Sequence, residues 1–171
     1  MAITLEVYLC DHVIRGELRS EGERRAVDIL NESALGILTL SDAWIGNSHV
    51  HAAPIKVEQI RIQRPSILFV VPHDTAPRGP RQLRSAFVEK RPLRTVLGLG
   101  PFTVAGTIHV GQYETVADNL AQAGIGRAFI PITRATVSSQ YDASVSLEAG
   151  IVLVHRPALT YTATPAPLPA P

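Results

Sequence analysis

The stretch VIRGELRS, residues 13–20, decides the fold because its side chains alternate with a period of two. This alternation predicts a half-buried strand with two different faces. The mainly apolar face consists of Ile14, Gly16, Leu18 and Ser20, and the mainly charged face consists of Val13, Arg15, Glu17 and Arg19. A glycine in mid-strand costs backbone entropy and offers no side chain for packing. Gly16 therefore predicts a sharp bend or a close backbone approach, as small β-barrels require.

A similar pattern around a mid-strand glycine recurs as TVAGTI at residues 103–108. An offset of 90 residues aligns Gly16 with Gly106 and Asp28 with Asp118, and an offset of 92 aligns IRIQRP (60–65) with VLVHRP (152–157). A two-residue insertion between the two regions explains the change of offset. A register held through several predicted elements indicates an internal duplication.

Each predicted copy contains several strands and one short helix. TLEVYL (4–9) alternates like VIRGELRS, whereas GERRAVDILNES (22–33) has a helical stripe. In the second copy the helix is predicted within YETVADNLAQAG (113–124) and is followed, as in the first, by further strand-like segments. We expect helices of about three turns.

These patterns predict a mainly β protein with two tandem small β-barrels, each with a short helix between its second and third strands. The predicted boundaries are 1–72 for the first barrel, 73–94 for a basic, proline-containing linker, 95–164 for the second barrel and 165–171 for a proline-rich tail. Alternating prolines in the tail favour an extended polyproline conformation.

Three segments resemble the strands of Sm-like small barrels: VYLCDHVIRGELRS (7–20), LTLSDAWI (38–45) and IRIQRPSILFVVP (60–72). The resemblance covers most of residues 3–72 and, less closely, 95–164. It implies assembly into rings through paired edge strands. The chain is also similar to uncharacterised bacterial domains that are duplicated in tandem.

Many Sm-like domains bind RNA through a loop aspartate and asparagine together with an arginine-glycine pair. Arg64-Pro65 and Arg156-Pro157 stand where that pair would fall, and a helix replaces a short turn between the second and third strands. The RNA-binding residues of the family therefore do not carry over to this chain.

The amino-acid composition limits which cellular compartment and which classes of partner we expect for the protein. The 171 residues are 46% hydrophobic with a formal net charge of +1, which predicts a buried core and no global attraction to nucleic acid or anionic membranes. Cys10 is the only cysteine, so one chain has neither a disulfide framework nor a thiolate zinc site. The sequence begins without a basic leader, and no apolar run reaches the length of a membrane span. We expect a soluble, cytoplasmic protein.

Chemical motifs are weak. His49 and His51 would share one face of a strand and form a candidate metal pair, but no third ligand accompanies them at a convincing spacing. Cys10 beside His12 is more typical of a small core residue near a turn than of a nucleophile. We therefore expect neither an enzyme nor a cofactor, and a metal- or ligand-binding domain is the least favoured alternative.

Basic residues around the predicted linker form the strongest local charge signal. They could bind nucleic-acid phosphates or an acidic protein, and they are Arg78, Arg81, Arg84, Lys90, Arg91 and Arg94. Phe87 is the only aromatic residue among them, which argues against base stacking. A nucleic-acid-binding module is the second hypothesis.

The second copy carries few charges. Residues 103–171 contain seven acidic or basic residues, against 16 in residues 1–72. Its predicted neutral face would contact another protein surface, through Ala105, Thr107, His109, Phe129 and Thr133. The first hypothesis is therefore a non-enzymatic assembly subunit that forms a homo-oligomer or docks into a complex. A neutral, solvent-exposed sheet remains the alternative for this face.

Overall fold

A computed structural model describes residues 2–20, 22, 24–32, 36–47, 53–73, 90–122, 127–142 and 146–165. The described residues are mainly strand, with two α-helices and two short 3-10 helices, which confirms the predicted mainly β class.

The described elements follow the same order in residues 2–73, the first half, and residues 90–163, the second half. The first half contains β1 (Ala2–Tyr8), β2 (His12–Arg19), α1 (Ala26–Glu32), β3 (Ile37–Asn47), β4 (Ile55–Gln63), a 3-10 helix (Arg64–Ser66) and β5 (Phe69–His73). The second contains β6 (Lys90–Leu99), β7 (Phe102–Gly111), α2 (Val116–Gln122), β8 (Phe129–Ser139), β9 (Ser146–His155), a 3-10 helix (Arg156–Ala158) and β10 (Tyr161–Ala163).

The ten strands form one antiparallel sheet in the order β10-β6-β7-β8-β9-β5-β1-β2-β3-β4. Within the described ranges this sheet is open, with β10 and β4 at its two ends. Two separate closed barrels, as the sequence predicted, are not seen there, because β5 pairs with β1 and with β9 and not with β4. The two halves instead share one continuous sheet.

Gly16 and Gly106, the glycines of the two similar segments, lie at equivalent shifts in strand register. The register between β2 and β3 shifts around Gly16, and that between β7 and β8 shifts around Gly106. A Cβ atom on Gly16 would lie 3.0 Å from the Cβ of Ala43, and one on Gly106 would lie 2.6 Å from Cγ2 of Ile132. Of the two predicted alternatives, a sharp bend or a close backbone approach, the close approach is confirmed.

Register is also shared elsewhere in the two halves. Glu6 pairs with Val71 as Val96 pairs with Ala163, and Ile37 pairs with Gln63 as Phe129 pairs with His155. Each second pair follows from the first by adding 90 before the helix and 92 after it. The strand pairs thus obey the offsets found in the sequence.

Both predicted helices are present but shorter than expected. Each has seven residues, which is about two turns and not three. The predicted apolar stripe is confirmed in α1, where Ala26 and Leu30 are buried, and Leu120 is buried at the equivalent position of α2.

The core crosses the boundary between the halves. Phe129 and Leu153 belong to the cluster built mainly from the first half, whereas Phe69 and Val71 belong to the cluster of the second half. The range predicted as a linker, 73–94, begins at the last residue of β5 and ends inside β6, and residues 74–89 lie outside the described part.

Candidate assembly surfaces

The two halves meet where β5 pairs with β9. Phe69 lies opposite Val154 and Val70 lies opposite Leu153, and all four residues are buried. The backbone N–H of His155 also donates to the carbonyl of Leu68 over 3.0 Å. We call this pairing, with the helix contact described next, the junction.

A side chain of α1 bridges the halves at the start of β8. The Asn31 amide nitrogen donates to the Phe129 carbonyl over 3.0 Å, and the Phe129 N–H donates to the Asn31 amide oxygen over 2.8 Å. One amide thus satisfies both backbone groups of a buried strand residue, which would cost free energy if left without partners.

The Phe129 ring fills the space beside this bridge. Phe129 is 1% exposed, stacks on the His155 ring at a centroid distance of 4.8 Å and lies beneath the Arg64 guanidinium at 5.4 Å. Arg64 also donates to the carbonyl of Leu30 at the end of α1. Burial lowers the pKa of Arg64 below its usual range, although the group stays charged near neutral pH. Its positive charge complements the negative end of α1.

His155 is the buried titratable group of the junction. It is 5% exposed, and its Nδ1 donates to the carbonyl of Ile67 over 2.9 Å, which fixes the tautomer. Burial lowers the pKa of His155 below its ordinary value of 6.5, a hydrogen bond to Ile67 opposes this shift, and the nearby Arg64 charge adds to it. The junction therefore favours a neutral imidazole.

Two strands have an open side. Among the described residues, β4 pairs only with β3, and β10 pairs only with β6. Ile55, at the beginning of β4, is 63% exposed, and β10 is exposed along its three residues. Unpaired backbone groups on such strands are a template for pairing with another chain.

An open groove lies beside β10, and we call it the α2–β10 groove. Its lining comes from α2, the following 3-10 helix and β10, and includes Ala117, Leu120, Ala121, Arg156, Leu159 and Thr162. Arg156 donates to the carbonyl of Leu120 over 3.0 Å, as Arg64 does to Leu30. The hydrogen bond from Arg156 therefore links two sides of the groove, and the first half contains the equivalent hydrogen bond from Arg64.

The predicted neutral face is partly assembled. Thr133 donates to the carbonyl of Thr107 over 3.2 Å, and its hydroxyl lies 3.1 Å from Nε2 of the exposed His109. Ala105 lies on the same strand as Thr107 and is partly buried. Phe129 is separate from this group, since its contacts in the junction lie within the chain.

Of the six basic residues predicted to bind an anionic partner, three lie in the described part of the chain. Lys90, Arg91 and Arg94 are exposed on β6, and Arg91 donates to the carbonyl of Glu114 over 3.2 Å. Arg78, Arg81 and Arg84 lie outside the described residues, as do the candidate metal ligands His49 and His51. In the described part of the chain, no three His, Cys, Asp or Glu side chains are grouped so that they could hold a metal ion.

A polar cluster on β1 was not predicted. The Glu6 carboxylate lies 3.8 Å from Arg15 and 3.3 Å from His73, and it accepts a hydrogen bond from Tyr8 over 3.3 Å. Burial and the Glu6 charge raise the pKa of Tyr8, which keeps its hydroxyl protonated. The opposite charges of Glu6 and Arg15 on neighbouring predicted strands were the available signal.

A second exposed surface contains Trp44, the only tryptophan, which is 42% exposed on β3. The Lys56 ammonium lies 5.4 Å from its ring centroid and 3.0 Å from the Asp42 carboxylate. This arrangement of β3 and β4 places a tryptophan close to the open side of the sheet.

Sequence reasoning missed three junction residues, Asn31, Arg64 and His155. The Arg-Pro pairs, repeated at the offset of 92, were a usable signal for Arg64. Asn31 had none, because its partner lies 98 residues away along the chain.

Neither helix described here is long and apolar enough to cross a membrane. Comparison with protein-family models, with curated proteins and with solved structures finds no match for this chain.

Proposed function

We propose that the chain is a non-enzymatic assembly subunit that associates with copies of itself from head to tail through β4 and β10. The observation that carries this proposal is the junction, where β9 of the second half pairs with β5 of the first. The strands equivalent to these two, β4 and β10, have an open side in the described part of the chain. A second copy can repeat between chains the pairing that exists within one chain.

The offset of 92 residues defines the register of this pairing. The pairs of Phe69 with Val154 and of Val70 with Leu153 become Tyr161 opposite Ile62, and Thr162 opposite Arg61, of the second copy. Thr162 and Arg61 are both exposed within one chain, so the contact needs no rearrangement of the core.

We further propose that the halves are Sm-like units that arose by duplication. Support comes from the shared order of elements and from the shared registers around Gly16 and Gly106. The neutral face of Thr107, His109 and Thr133 provides an additional contact surface, because it carries little charge that would need to be desolvated.

The test is light scattering coupled to size-exclusion chromatography over a range of protein concentrations, at low and high salt. We expect a mass that rises with concentration. Thr162→Lys should lower it, because like charges on directly opposite residues destabilise a strand pair, and Thr162→Glu should not. Combining Thr162→Lys with Arg61→Glu should restore the association.

A monomer at all concentrations would contradict the proposal. The ratio of absorbance at 260 and 280 nm across the peak distinguishes the main alternative. A monomer that carries nucleic acid at low salt and releases it at high salt would favour a nucleic-acid-binding function through the basic residues.

A further inference from the structure

We propose that the α2–β10 groove receives Ile37 of a second copy, and that Ala121 makes this contact between chains weaker than the junction within the chain. The inference rests on the proposed function. It attributes the weaker association between chains to two positions at which the halves differ. At one, Asn31 is replaced by Ala121, and at the other, Phe129 is replaced by Ile37.

The groove corresponds, residue by residue, to a surface that the junction covers. Subtracting 90 on α2 and 92 after it converts the groove residues into Val27, Leu30, Asn31, Arg64, Ile67 and Val70. Of these, Leu30, Ile67 and Val70 are buried in the cluster that also contains Phe129 and Leu153. In the second half, Leu159 is only partly buried and Thr162 is exposed. Among the described residues, therefore, the groove is exposed where the equivalent surface of the first half is buried.

The occupant follows from the same correspondence. Phe129, which covers the first surface, is equivalent to Ile37 at the start of β3. Phe129 is 1% exposed, whereas Ile37 is 40% exposed and lies on the strand next to the open β4. Pairing of β4 with β10 of another copy would bring Ile37 to the groove, because Ile37 pairs with Gln63 as Phe129 pairs with His155.

The contact between chains lacks the amide bridge. Asn31 forms two hydrogen bonds with the backbone of Phe129, but its equivalent, Ala121, has no polar side-chain atom. Ile37 also lacks the ring that stacks on His155 and lies under Arg64. The chain thus combines a strong junction between its halves with a weaker contact between chains. This difference makes the assembly reversible.

The experiment measures the self-association constant of the full chain by sedimentation velocity over a concentration series. Ala121→Asn should strengthen association about tenfold, because it restores two hydrogen bonds of modest net strength. Ile37→Phe should also strengthen it, and Ile37→Lys should weaken it. Ala2→Asn, an exposed alanine-to-asparagine change on β1, serves as the matched control and should leave the constant unchanged.

The outcomes separate the two proposals. If Thr162→Lys weakens association while Ala121→Asn and both Ile37 variants have no effect, the groove inference is wrong and the assembly proposal stands. If the native chain and Ala121→Asn are monomeric throughout, both are wrong. If Ala121→Asn or Ile37→Phe weakens association, the inference is overturned.

Discussion

Asn31 and Phe129, which lie 98 residues apart in the chain, are joined by two hydrogen bonds from one side-chain amide to one backbone unit. The amide spans the boundary between two halves that share their order of elements. This relationship makes the start of β8 a structural part of the first half.

Asn31→Ala should therefore destabilise the fold. It leaves the N–H and the carbonyl of the buried Phe129 without their side-chain partner, at a cost of about 1–3 kcal/mol in the free energy of unfolding. Urea unfolding followed by circular dichroism measures the change. Asp28→Ala, at an exposed position of the same helix, should cost no more than about 0.5 kcal/mol. Equal losses in the two variants would show that the bridge adds little.

Gly106→Ala should destabilise the sheet at its irregularity. The new Cβ would lie 2.6 Å from Ile132 Cγ2 and 3.0 Å from the Thr133 carbonyl oxygen, so backbone as well as side chain must move. We expect a loss of about 1–3 kcal/mol. Gly150→Ala is the matched control, because nothing lies within 4 Å of a Cβ on that strand residue. A thermal melt that gives the same midpoint for both variants would contradict the packing argument.

Stability should fall with acidification below about pH 6.5. The pKa of His155 is lower in the folded chain than its ordinary value of 6.5, so the unfolded state binds more protons in the window below 6.5 and is favoured there. Above this window both states hold a neutral imidazole and the full stability is present.

The check is the free energy of unfolding measured in urea at several pH values between 5 and 7.5. His155→Asn should flatten the slope, whereas His109→Asn, which alters an exposed histidine, should keep it. A slope unaffected by His155→Asn would assign the pH dependence to other groups.

The two equivalent arginines should contribute unequally. Arg64 donates to the Leu30 carbonyl and lies over the Phe129 ring, whereas Arg156 donates to the Leu120 carbonyl. We expect Arg64→Leu to cost about 1 kcal/mol more than Arg156→Leu, since it also removes the cation–π contact. Urea unfolding at one low protein concentration measures the free energy of unfolding of both variants. A larger loss for Arg156→Leu would contradict this ranking.

The local elements were predictable from the sequence because their causes are local. The alternation in VIRGELRS specifies which face of β2 is buried, and Ile14, Gly16 and Leu18 do lie inward. Mid-strand glycines marked both irregularities, and a period of 3.6 marked both helices. Helix length was overestimated, because propensity and periodicity do not specify where short helices end.

The arrangement of the halves was decided only by the tertiary structure. No local pattern indicates that β5 pairs with β9 and, in the described part of the chain, leaves β4 and β10 with an open side, since β4 and β9 hold equivalent positions in the order of elements. The contacts of Asn31, Arg64 and His155 depend on that choice. The sequence by itself determined the strands and the presence of the two helices, because each element follows from neighbouring residues. The junction and the open strands required the fold, because their free energy comes from groups that are distant in the chain.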